Sequence, residues 1–190
     1  AIGLGVKSPP TRNIDIFSED FIKPFIVKPN KEGSSVGFFI INNKKEMLRA
    51  AKTNKGREVI FEDYIIGREI TVSILNDKVL PIVEIIPESG VYDYESKYSL
   101  GKTCYSTPAK IDLDIEIFLK KKSLEIFNAI GCRDYARIDY ILSDNNVPYF
   151  LEINTSPGMT ETSLFPKSAN QAGLNFDNLI EEIVGLKNKI

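Results

Sequence analysis

A predicted β-hairpin at residues 135–154 constrains the fold of this 190-residue chain more than any other stretch. Two short apolar runs, at residues 136–142 and 147–153, flank the sequence Ser-Asp-Asn-Asn at 143–146. A polar cluster of this kind between two apolar runs is typical of a hairpin turn. We therefore expect the two runs to pair as antiparallel strands.

The polar side chains of this hairpin are expected to share one face. Because side chains alternate along a strand, Arg137 and Asp139 fall on one face of the first strand, and Glu152 and Asn154 on one face of the second. Mg²⁺ prefers hard oxygen ligands and commonly takes one or two protein carboxylates. A guanidinium beside them stabilises phosphate charge. The pattern predicts either a magnesium and phosphate site or a solvated sheet face that carries an ordinary ion pair.

The sequence that follows the hairpin favours the magnesium site. Residues 152–160 read Glu-Ile-Asn-Thr-Ser-Pro-Gly-Met-Thr, so the chain turns at a Pro-Gly pair directly after the candidate ligands. A turn of this kind presents backbone amides, which can hold a small anionic substrate.

Composition excludes several classes of function. The charge is nearly balanced, with 24 Lys and Arg against 26 Asp and Glu, which argues against a nucleic-acid partner. The absence of histidine removes Ser-His and Cys-His nucleophilic schemes and most zinc chemistry. No apolar run is long enough to cross a membrane, and the two cysteines are too few for a disulfide framework. We expect a cytoplasmic protein with neither a membrane nor a nucleic-acid partner.

A glycine- and serine-rich segment after the first predicted strand is a second candidate site. The strand at residues 25–28 is followed by Pro29, and residues 30–37 read Asn-Lys-Glu-Gly-Ser-Ser-Val-Gly. The amides and hydroxyls of such a loop can wrap a phosphate, and Lys28 supplies positive charge. The lysine precedes the glycines, unlike in a P-loop, and a plain Gly-Ser hairpin is the alternative interpretation.

The remaining pattern predicts an α+β chain rather than a doubly wound sheet, because hairpins and helices occur without a regular βαβ alternation. A second hairpin is expected about residues 76–77, with Glu69, Thr71 and Ser73 on its polar face. A helix ending near Asn128 is expected to turn Ile117, Leu124 and Phe127 inward.

The long segment at residues 87–108 carries four tyrosines and Lys97. Segments of this length inside a compact domain are usually functional or disordered. We expect a lid over a ligand, and a loop that buries its aromatic rings against its own domain is the alternative.

Five segments, in this order, resemble the ATP-grasp fold and, within it, the D-alanine:D-alanine ligase family. They are VKPNKEGSSVG (27–37), FEDYIIGREITVSIL (61–75), VYDYESKYS (91–99), YARIDYIL (135–142) and LEINTSPGMTETSLFP (151–166). The resemblance covers nearly the whole chain. It implies two α+β subdomains, at residues 1–63 and 64–190, that hold ATP between antiparallel sheets.

The resemblance also implies roles for individual residues. The positions that match ligands of two Mg²⁺ ions, which Mn²⁺ can replace, are Asp139, Glu152 and Asn154. The positions that match ATP contacts are Lys28, Ser34, Ser35, Glu62, Asp63, Tyr64, Ile65, Glu69, Lys97 and Phe150. The positions that match the surroundings of the D-amino acids and the reacting carbonyl are Ser34, Tyr98, Arg137, Gly158, Ser163 and Leu164. A tyrosine at position 98 goes with an amine-bearing second substrate, D-alanine or D-serine.

The activity that the resemblance implies is the ATP-dependent joining of two D-alanine molecules through an acyl phosphate, a step in peptidoglycan synthesis. Family members carry a further N-terminal domain with another phosphate-binding lysine. We therefore expect these residues to be inactive as a ligase by themselves, and the full-length protein to form a homodimer. The alternatives are another ATP-grasp carboxylate-amine ligase and a nucleotide-binding module without turnover.

Overall fold

The computed structural model describes residues 1–12, 24–33, 35–90 and 101–186. In chain order its elements are a 3-10 helix at Ile2–Leu4, β1 at Phe25–Pro29, β2 at Phe39–Ile41, α1 at Lys44–Thr53, β3 at Val59–Asp63, β4 at Gly67–Leu75, β5 at Lys78–Val79, β6 at Val83–Pro87, β7 at Thr103–Ser106, α2 at Leu113–Ile130, β8 at Tyr135–Ser143, β9 at Pro148–Asn154, α3 at Leu164–Gln171 and α4 at Phe176–Leu186. Three residues singled out above, Ser34, Lys97 and Tyr98, lie outside the described residues.

The chain divides into two compact units, and neither is continuous in sequence. The larger unit comprises Ala1–Ser8, Ile66–Pro87 and Thr103–Ile190, and the smaller unit comprises Pro9–Ile65 and Glu88–Lys102. The expected division after residue 63 differs from this one mainly in two segments, residues 1–8 and 88–102. The first joins the larger unit because its residues pair with the edge of that unit's sheet, where the Phe150 amide donates to the Lys7 carbonyl at 2.8 Å.

The smaller unit is built on a three-stranded antiparallel sheet in the order β2-β1-β3. One buried cluster joins the sheet to α1, and its members are Phe25, Val27, Ile41, Met47 and Ala50. The helix begins at a reciprocal cap: Asn43 accepts the Glu46 amide at 3.1 Å, and the Glu46 carboxylate accepts the Asn42 amide at 2.6 Å. The second of these bonds lowers the pKa of Glu46 below its usual value.

The larger unit contains an antiparallel sheet in the order β7-β6-β4-β8-β9, with β5 paired to β4. Alternation along β4 gives the sheet two different faces. Ile70, Val72 and Ile74 lie in the main core with residues of α2. The opposite face carries Thr71 and Ser73, and farther along the same strand Leu75 lies in a second cluster with residues of α3 and α4. The polar face therefore continues into an apolar end that the two C-terminal helices cover.

The expectation that Ile117 faces inward is wrong, because its side chain is 55% exposed. The buried residues of α2 are Leu119, Ser123, Ile126 and Phe127. A residue two positions from Leu119 lies on the far side of a helix that turns about 100° per residue. Phe127 is buried as expected, and the helix ends at Gly131, whose φ is 77°.

Tyr140 gives the larger unit a measurable alkaline sensitivity. Its side chain is 1% exposed, its hydroxyl lies 2.9 Å from that of Ser123, and burial raises the pKa of Tyr140 to about 12. An unfolded tyrosine titrates near pH 10. Because the folded pKa is the higher one, this stabilisation is complete below about pH 10 and is lost as the pH rises toward 12.

We expect the free energy of unfolding to fall by up to about 3 kcal/mol across that interval because of Tyr140 alone. In Tyr140→Phe this part of the fall disappears, although the variant is less stable at neutral pH because Ser123 loses its partner. Urea unfolding at several pH values between 9 and 12 measures the difference between the two proteins. If the free energy of unfolding falls equally in both proteins between pH 9 and 12, Tyr140 is not responsible for the alkaline loss of stability.

Candidate metal and phosphate site

The four polar side chains of the hairpin lie on one face, as their alternation predicts. In the register of β8 and β9, Asp139 is opposite Glu152 and Arg137 is opposite Asn154. Residues directly opposite each other in an antiparallel pair project to the same side of the sheet. On the other side of β8, Thr71 of β4 is opposite Asp139. A row of three polar residues therefore crosses three strands.

Among the residues that the structure describes, three neighbours donate four hydrogen bonds to the Asp139 carboxylate. Its Oδ1 accepts the Thr71 hydroxyl at 2.6 Å and Arg137 Nε at 2.9 Å. Its Oδ2 accepts Arg137 Nη2 at 2.8 Å and Asn154 Nδ2 at 3.0 Å. The Arg137 and Asp139 side chains are only 15% and 18% exposed. The carboxylate is thus held in one orientation by groups on three adjacent strands.

The Asn154 amide group lies between the two carboxylates. Its Nδ2 donates to Asp139 Oδ2 at 3.0 Å and to Glu152 Oε1 at 3.4 Å. Rotation of the amide by half a turn would place an oxygen there, and three neighbouring side chains would then offer oxygen ligands. This donor set suits Mg²⁺ or Mn²⁺. Among the described residues no three His, Cys, Asp or Glu side chains cluster as metal ligands do, so an amide must complete the set.

The structure does not bring Phe150 to this face. A β-bulge between Asp139 and Tyr140 shifts the register, so Phe150 pairs with Tyr140 instead of sharing the face of Glu152. Its ring packs edge-on against the buried Tyr140 ring, with centroids 6.0 Å apart. The side chain of Phe150 therefore packs against the main core, and its assignment as an ATP contact stays a prediction.

The segment from the end of β9 to the start of α3 holds three of the residues expected around the D-amino acids, namely Gly158, Ser163 and Leu164. The Ser163 hydroxyl accepts the Thr160 amide at 3.1 Å and lies 2.8 Å from the Thr160 hydroxyl, so it does not cap α3. A Cβ at Gly158 would lie 3.1 Å from that hydroxyl. The Leu164 side chain is only 6% exposed, so its backbone amide is the group that can meet a ligand. The first amides of a helix have no intrahelical acceptor, and they favour anions.

In the smaller unit, Lys28 lies at the end of β1 and pairs with Glu62 of β3. Lys28 Nζ is 2.6 Å from Glu62 Oε2, and the two side chains are 28% and 14% exposed. This partly buried pair fixes the position of the ammonium group. In the loop after β1, the backbone of Ser35 has a φ of 57°, in the left-handed region. The loop at residues 30–37, called the Gly-Ser loop below, therefore follows directly from a strand that fixes the position of the Lys28 ammonium group.

The backbone stretch expected to contact adenine is already engaged in part. The Asp63 amide donates to the Pro10 carbonyl at 2.9 Å, and the Tyr64 amide to the Pro24 carbonyl at 3.4 Å. The Asp63 carboxylate forms an ion pair with Arg12. The Ile65 amide has no hydrogen-bond acceptor among the described residues, which makes it the member of this stretch best placed to bind a ligand.

The candidate residues thus fall into two groups. The larger unit carries Glu69, Arg137, Asp139, Glu152, Asn154, Gly158, Ser163 and Leu164, and the smaller unit carries Lys28, Ser35, Glu62, Asp63, Tyr64 and Ile65. The sequence patterns missed the link between Thr71 and Asp139, which lie 68 positions apart. Alternation shows only that Thr71 belongs to a polar face.

The sequence patterns also missed Asn54, which is 5% exposed and donates to the Gly37 carbonyl at 2.9 Å. Gly37 has a φ of 74°, and a Cβ there would lie 2.3 Å from Asn54 Oδ1. The end of the Gly-Ser loop therefore needs glycine, and Asn54 holds it. No sequence signal connects the two residues.

Comparison with known proteins identifies the family. The family described as D-ala D-ala ligase C-terminus matches residues 7–185. The chain belongs to this family. Its α+β class and ATP-grasp fold, expected from the sequence, are confirmed by the solved structures that it resembles. Across the part of the chain that the structure describes, no helix has both the length and the apolarity of a membrane span.

Two curated relatives illustrate the similarity within the family. The D-alanine--D-alanine ligase of Methylacidiphilum infernorum is 46% identical over 166 residues, which cover 86% of this chain and 55% of the relative. The D-alanine--D-alanine ligase of Fusobacterium nucleatum is 42% identical over 185 residues, which cover 95% of this chain and 61% of the relative. The chain spans somewhat more than half the length of these relatives.

Two solved structures extend the comparison. The D-alanine--D-alanine ligase from Bacillus anthracis complexed with ATP has a TM-score of 0.77 at 31% identity and covers 97% of this chain, which in turn covers 62% of that protein. The VanG D-Ala:D-Ser ligase from Enterococcus faecalis has a TM-score of 0.77 at 27% identity. The match covers 97% of this chain and 58% of that protein.

The position of the Asn154 amide leads to a test of the metal site by stability. In Asn154→Asp a third carboxylate replaces the amide that bridges two others. Without a divalent cation we expect the variant to lose about 1–3 kcal/mol of stability, because a hydrogen-bond donor is replaced by a like charge. Saturating Mg²⁺ or Mn²⁺ should recover most of that loss.

Thermal unfolding with EDTA and with MgCl₂ measures this effect. The control is Asn170→Asp, which adds the same charge at an exposed position of α3 and should show no cation-dependent change. If Mg²⁺ does not stabilise Asn154→Asp more than the control, the three side chains do not form a cation site.

Proposed function

We propose that this chain is the part of a D-alanine:D-alanine ligase that binds ATP, Mg²⁺ and the reacting D-amino acids. The observation that carries the proposal is the arrangement of Asp139, Glu152 and Asn154 beside Arg137, on one sheet face directly before a turn rich in backbone amides. Family membership supports it, as do relatives whose name is D-alanine--D-alanine ligase. The Bacillus anthracis neighbour complexed with ATP supports ATP as the nucleotide.

The chemistry needs an activated carboxyl group. A carboxylate is a poor electrophile, so one D-alanine carboxylate first takes the γ-phosphoryl group of ATP and forms an acyl phosphate with release of ADP. The amine of a second D-alanine attacks the carbonyl carbon, the C–O bond to phosphate breaks, and the amine loses a proton. The products are the dipeptide and inorganic phosphate. Phosphoryl transfer of this kind depends on positioning and charge stabilisation more than on covalent catalysis.

The residues of the larger unit suit these steps. Bound Mg²⁺ would supply charge neutralisation at the phosphates, held by Asp139, Glu152 and Asn154. Arg137, oriented by Asp139, and the amide of Gly158 are our candidates to stabilise the oxyanion of the tetrahedral intermediate. Ser163 and the first amide of α3, at Leu164, would bind a substrate carboxylate.

The residues of the smaller unit suit nucleotide binding. Lys28 would contact the ATP phosphates, and Ser34 and Ser35 belong to the loop that would cover them. The stretch from Glu62 through Asp63 and Tyr64 to Ile65 would contact adenine, with Glu69 of the larger unit at the ribose. Lys97 would add a second contact to phosphate, and Tyr98 would favour an amine-bearing second substrate. We also propose a second Mg²⁺ ion, a cytoplasmic location, an N-terminal domain of the same enzyme as partner, and a homodimer.

Asp139→Asn tests the ligase assignment. We expect it to lower kcat/KM for D-alanine-dependent ADP formation by about 100-fold or more, because it removes a cation ligand and the partner of Arg137. The assay follows ADP and dipeptide together in the whole protein in which this chain occurs. Asp144→Asn, in the exposed hairpin turn, is the matched control and should retain activity.

Three outcomes of this assay are decisive against the proposal. ADP release that does not depend on a D-amino acid would indicate another ATP-grasp ligase. The absence of ADP formation in a protein that binds ATP in a separate titration would indicate a binding module. A dipeptide formed with D-serine in preference to D-alanine would move the assignment to a D-Ala:D-Ser ligase, the name of the VanG neighbour.

Lys28→Met tests the nucleotide assignment separately. We expect the Kd for ATP·Mg²⁺ to rise about 10- to 100-fold, since a charge-assisted contact to phosphate is lost. The control is Lys45→Met, because Lys45 is exposed on α1 and lies outside the loop at residues 30–37. Isothermal titration of the chain measures both variants, and equal affinities would remove Lys28 from the phosphate site.

A further inference from the structure

We infer that Thr71 is a positioning residue for the metal site: its buried hydroxyl holds Asp139 so that Oδ2 is the oxygen presented to the cation. This inference rests on the proposed function, because it concerns the same candidate site. Thr71 itself touches neither cation nor substrate in this arrangement, and it acts through Asp139.

The contact is short, buried and set by the strand register. Thr71 is opposite Asp139 in the pairing of β4 with β8, and its side chain is 0% exposed. Its hydroxyl lies 2.6 Å from Asp139 Oδ1 and 3.3 Å from the Ile138 carbonyl oxygen. A hydroxyl has a single proton, and a charged acceptor at the shorter distance forms the stronger bond. A β-branched side chain also has few rotamers, so the hydroxyl is held in place.

The two oxygens of Asp139 have different neighbours, and this difference assigns their roles. Oδ1 accepts the Thr71 hydroxyl, which is fully buried, and Arg137 Nε, a donor that belongs to a group without any acceptor atom. Oδ2 accepts Arg137 Nη2 and Asn154 Nδ2, and the Asn154 amide can turn its own oxygen inward. A cation is therefore expected at Oδ2, next to Asn154 and Glu152. With the Asn154 amide turned in this way, Thr71 and Arg137 still donate to the carboxylate and resist its rotation, and removal of the Thr71 hydroxyl takes one of these donors away.

A neighbouring residue separates this role from simple packing. Ser73 lies on the same face of β4, is opposite Arg137, and is also 0% exposed. Within the part of the chain that the structure describes, its hydroxyl has no hydrogen-bond partner. Burial on this face of β4 therefore does not by itself bring a hydroxyl into contact with Asp139. Ser73→Ala removes a buried hydroxyl from the same strand and leaves the hydrogen bonds of the Asp139 carboxylate unchanged.

The experiment compares Thr71→Val, Thr71→Ser and Ser73→Ala with the unchanged chain. Valine has nearly the shape of threonine but no hydroxyl, and serine retains the hydroxyl. Mn²⁺ binding is measured without ATP, which itself chelates Mn²⁺, by the loss of the electron paramagnetic resonance signal of free Mn²⁺, and unfolding is measured by calorimetry. We expect Thr71→Val to weaken Mn²⁺ binding about 10- to 100-fold, as is typical when the partner of a metal ligand is removed. Thr71→Ser should recover most of that affinity, and Ser73→Ala should bind as the unchanged chain does.

A kinetic measurement on the whole protein supplies an independent test. In Thr71→Val we expect the KM for Mg²⁺ to rise while kcat recovers at saturating Mg²⁺, because the ligands remain and only their alignment is weakened. A merely structural role would lower the unfolding temperature without changing Mn²⁺ affinity, and that result would overturn the inference. If valine prevents folding, Thr71→Ala is measured in the same way, with the same expected and contrary results.

Failure of the inference can be distinguished from failure of the proposed function. If the unchanged chain does not bind Mn²⁺, the candidate metal site itself is wrong, and the role assigned to Thr71 is wrong with it. If the unchanged chain binds Mn²⁺ and Thr71→Val binds it equally well, the metal site stands and the role of Thr71 is refuted.

Discussion

The antiparallel pairing of β4 with β8 is the constraint on which the larger unit depends. It runs without interruption from Gly67 opposite Ser143 to Leu75 opposite Tyr135. Because side chains alternate, this register decides at once which residues enter the core beneath α2 and which line the opposite face. A slip of one residue would turn Asp139 and Arg137 into the apolar core. The close approach at the start of the pairing also requires Gly67, since a Cβ there would lie 2.3 Å from the Leu142 carbonyl oxygen.

The candidate metal site is organised by hydrogen bonds among its own side chains. Four hydrogen bonds fix the Asp139 carboxylate, and the Asn154 amide separates two negative groups that would otherwise repel each other. A site of this kind needs little rearrangement when a cation arrives, because one amide rotation exchanges a donor for an oxygen ligand. The same network ties Arg137 to the metal candidates, so the group expected to stabilise an oxyanion and the group expected to bind the cation share one support.

In the smaller unit, hydrogen bonds and an ion pair likewise hold the Gly-Ser loop, residues 30–37, in position. Both ends of the loop are joined to the turn after α1: Asn30 to Glu58 by a side-chain bond of 3.0 Å, and Gly37 to Asn54 by one of 2.9 Å. An ion pair between Glu32 and Arg57, at 3.1 Å, adds a third connection. Backbone amides can wrap a phosphate with little loss of entropy when the loop that carries them is anchored at its base.

Local chemistry in the sequence determined the two hairpins, the cap of α1 by Asn43, the end of α2 at Gly131 and the shared face of Asp139 and Glu152. Each of these follows from neighbours within a few residues, through turn preference, capping or a period of two. Tertiary structure alone decided that Phe150 packs against Tyr140, because a one-residue bulge changes which face every later residue takes and leaves no mark in the hydrophobic pattern. It also decided that Ile117 is exposed, since the stripe of α2 that is buried depends on the sheet it meets. Tertiary structure also decided the hydrogen bond from Thr71 to Asp139. This bond joins strands that are distant in sequence, and it forms only once the packing of both faces has fixed their register.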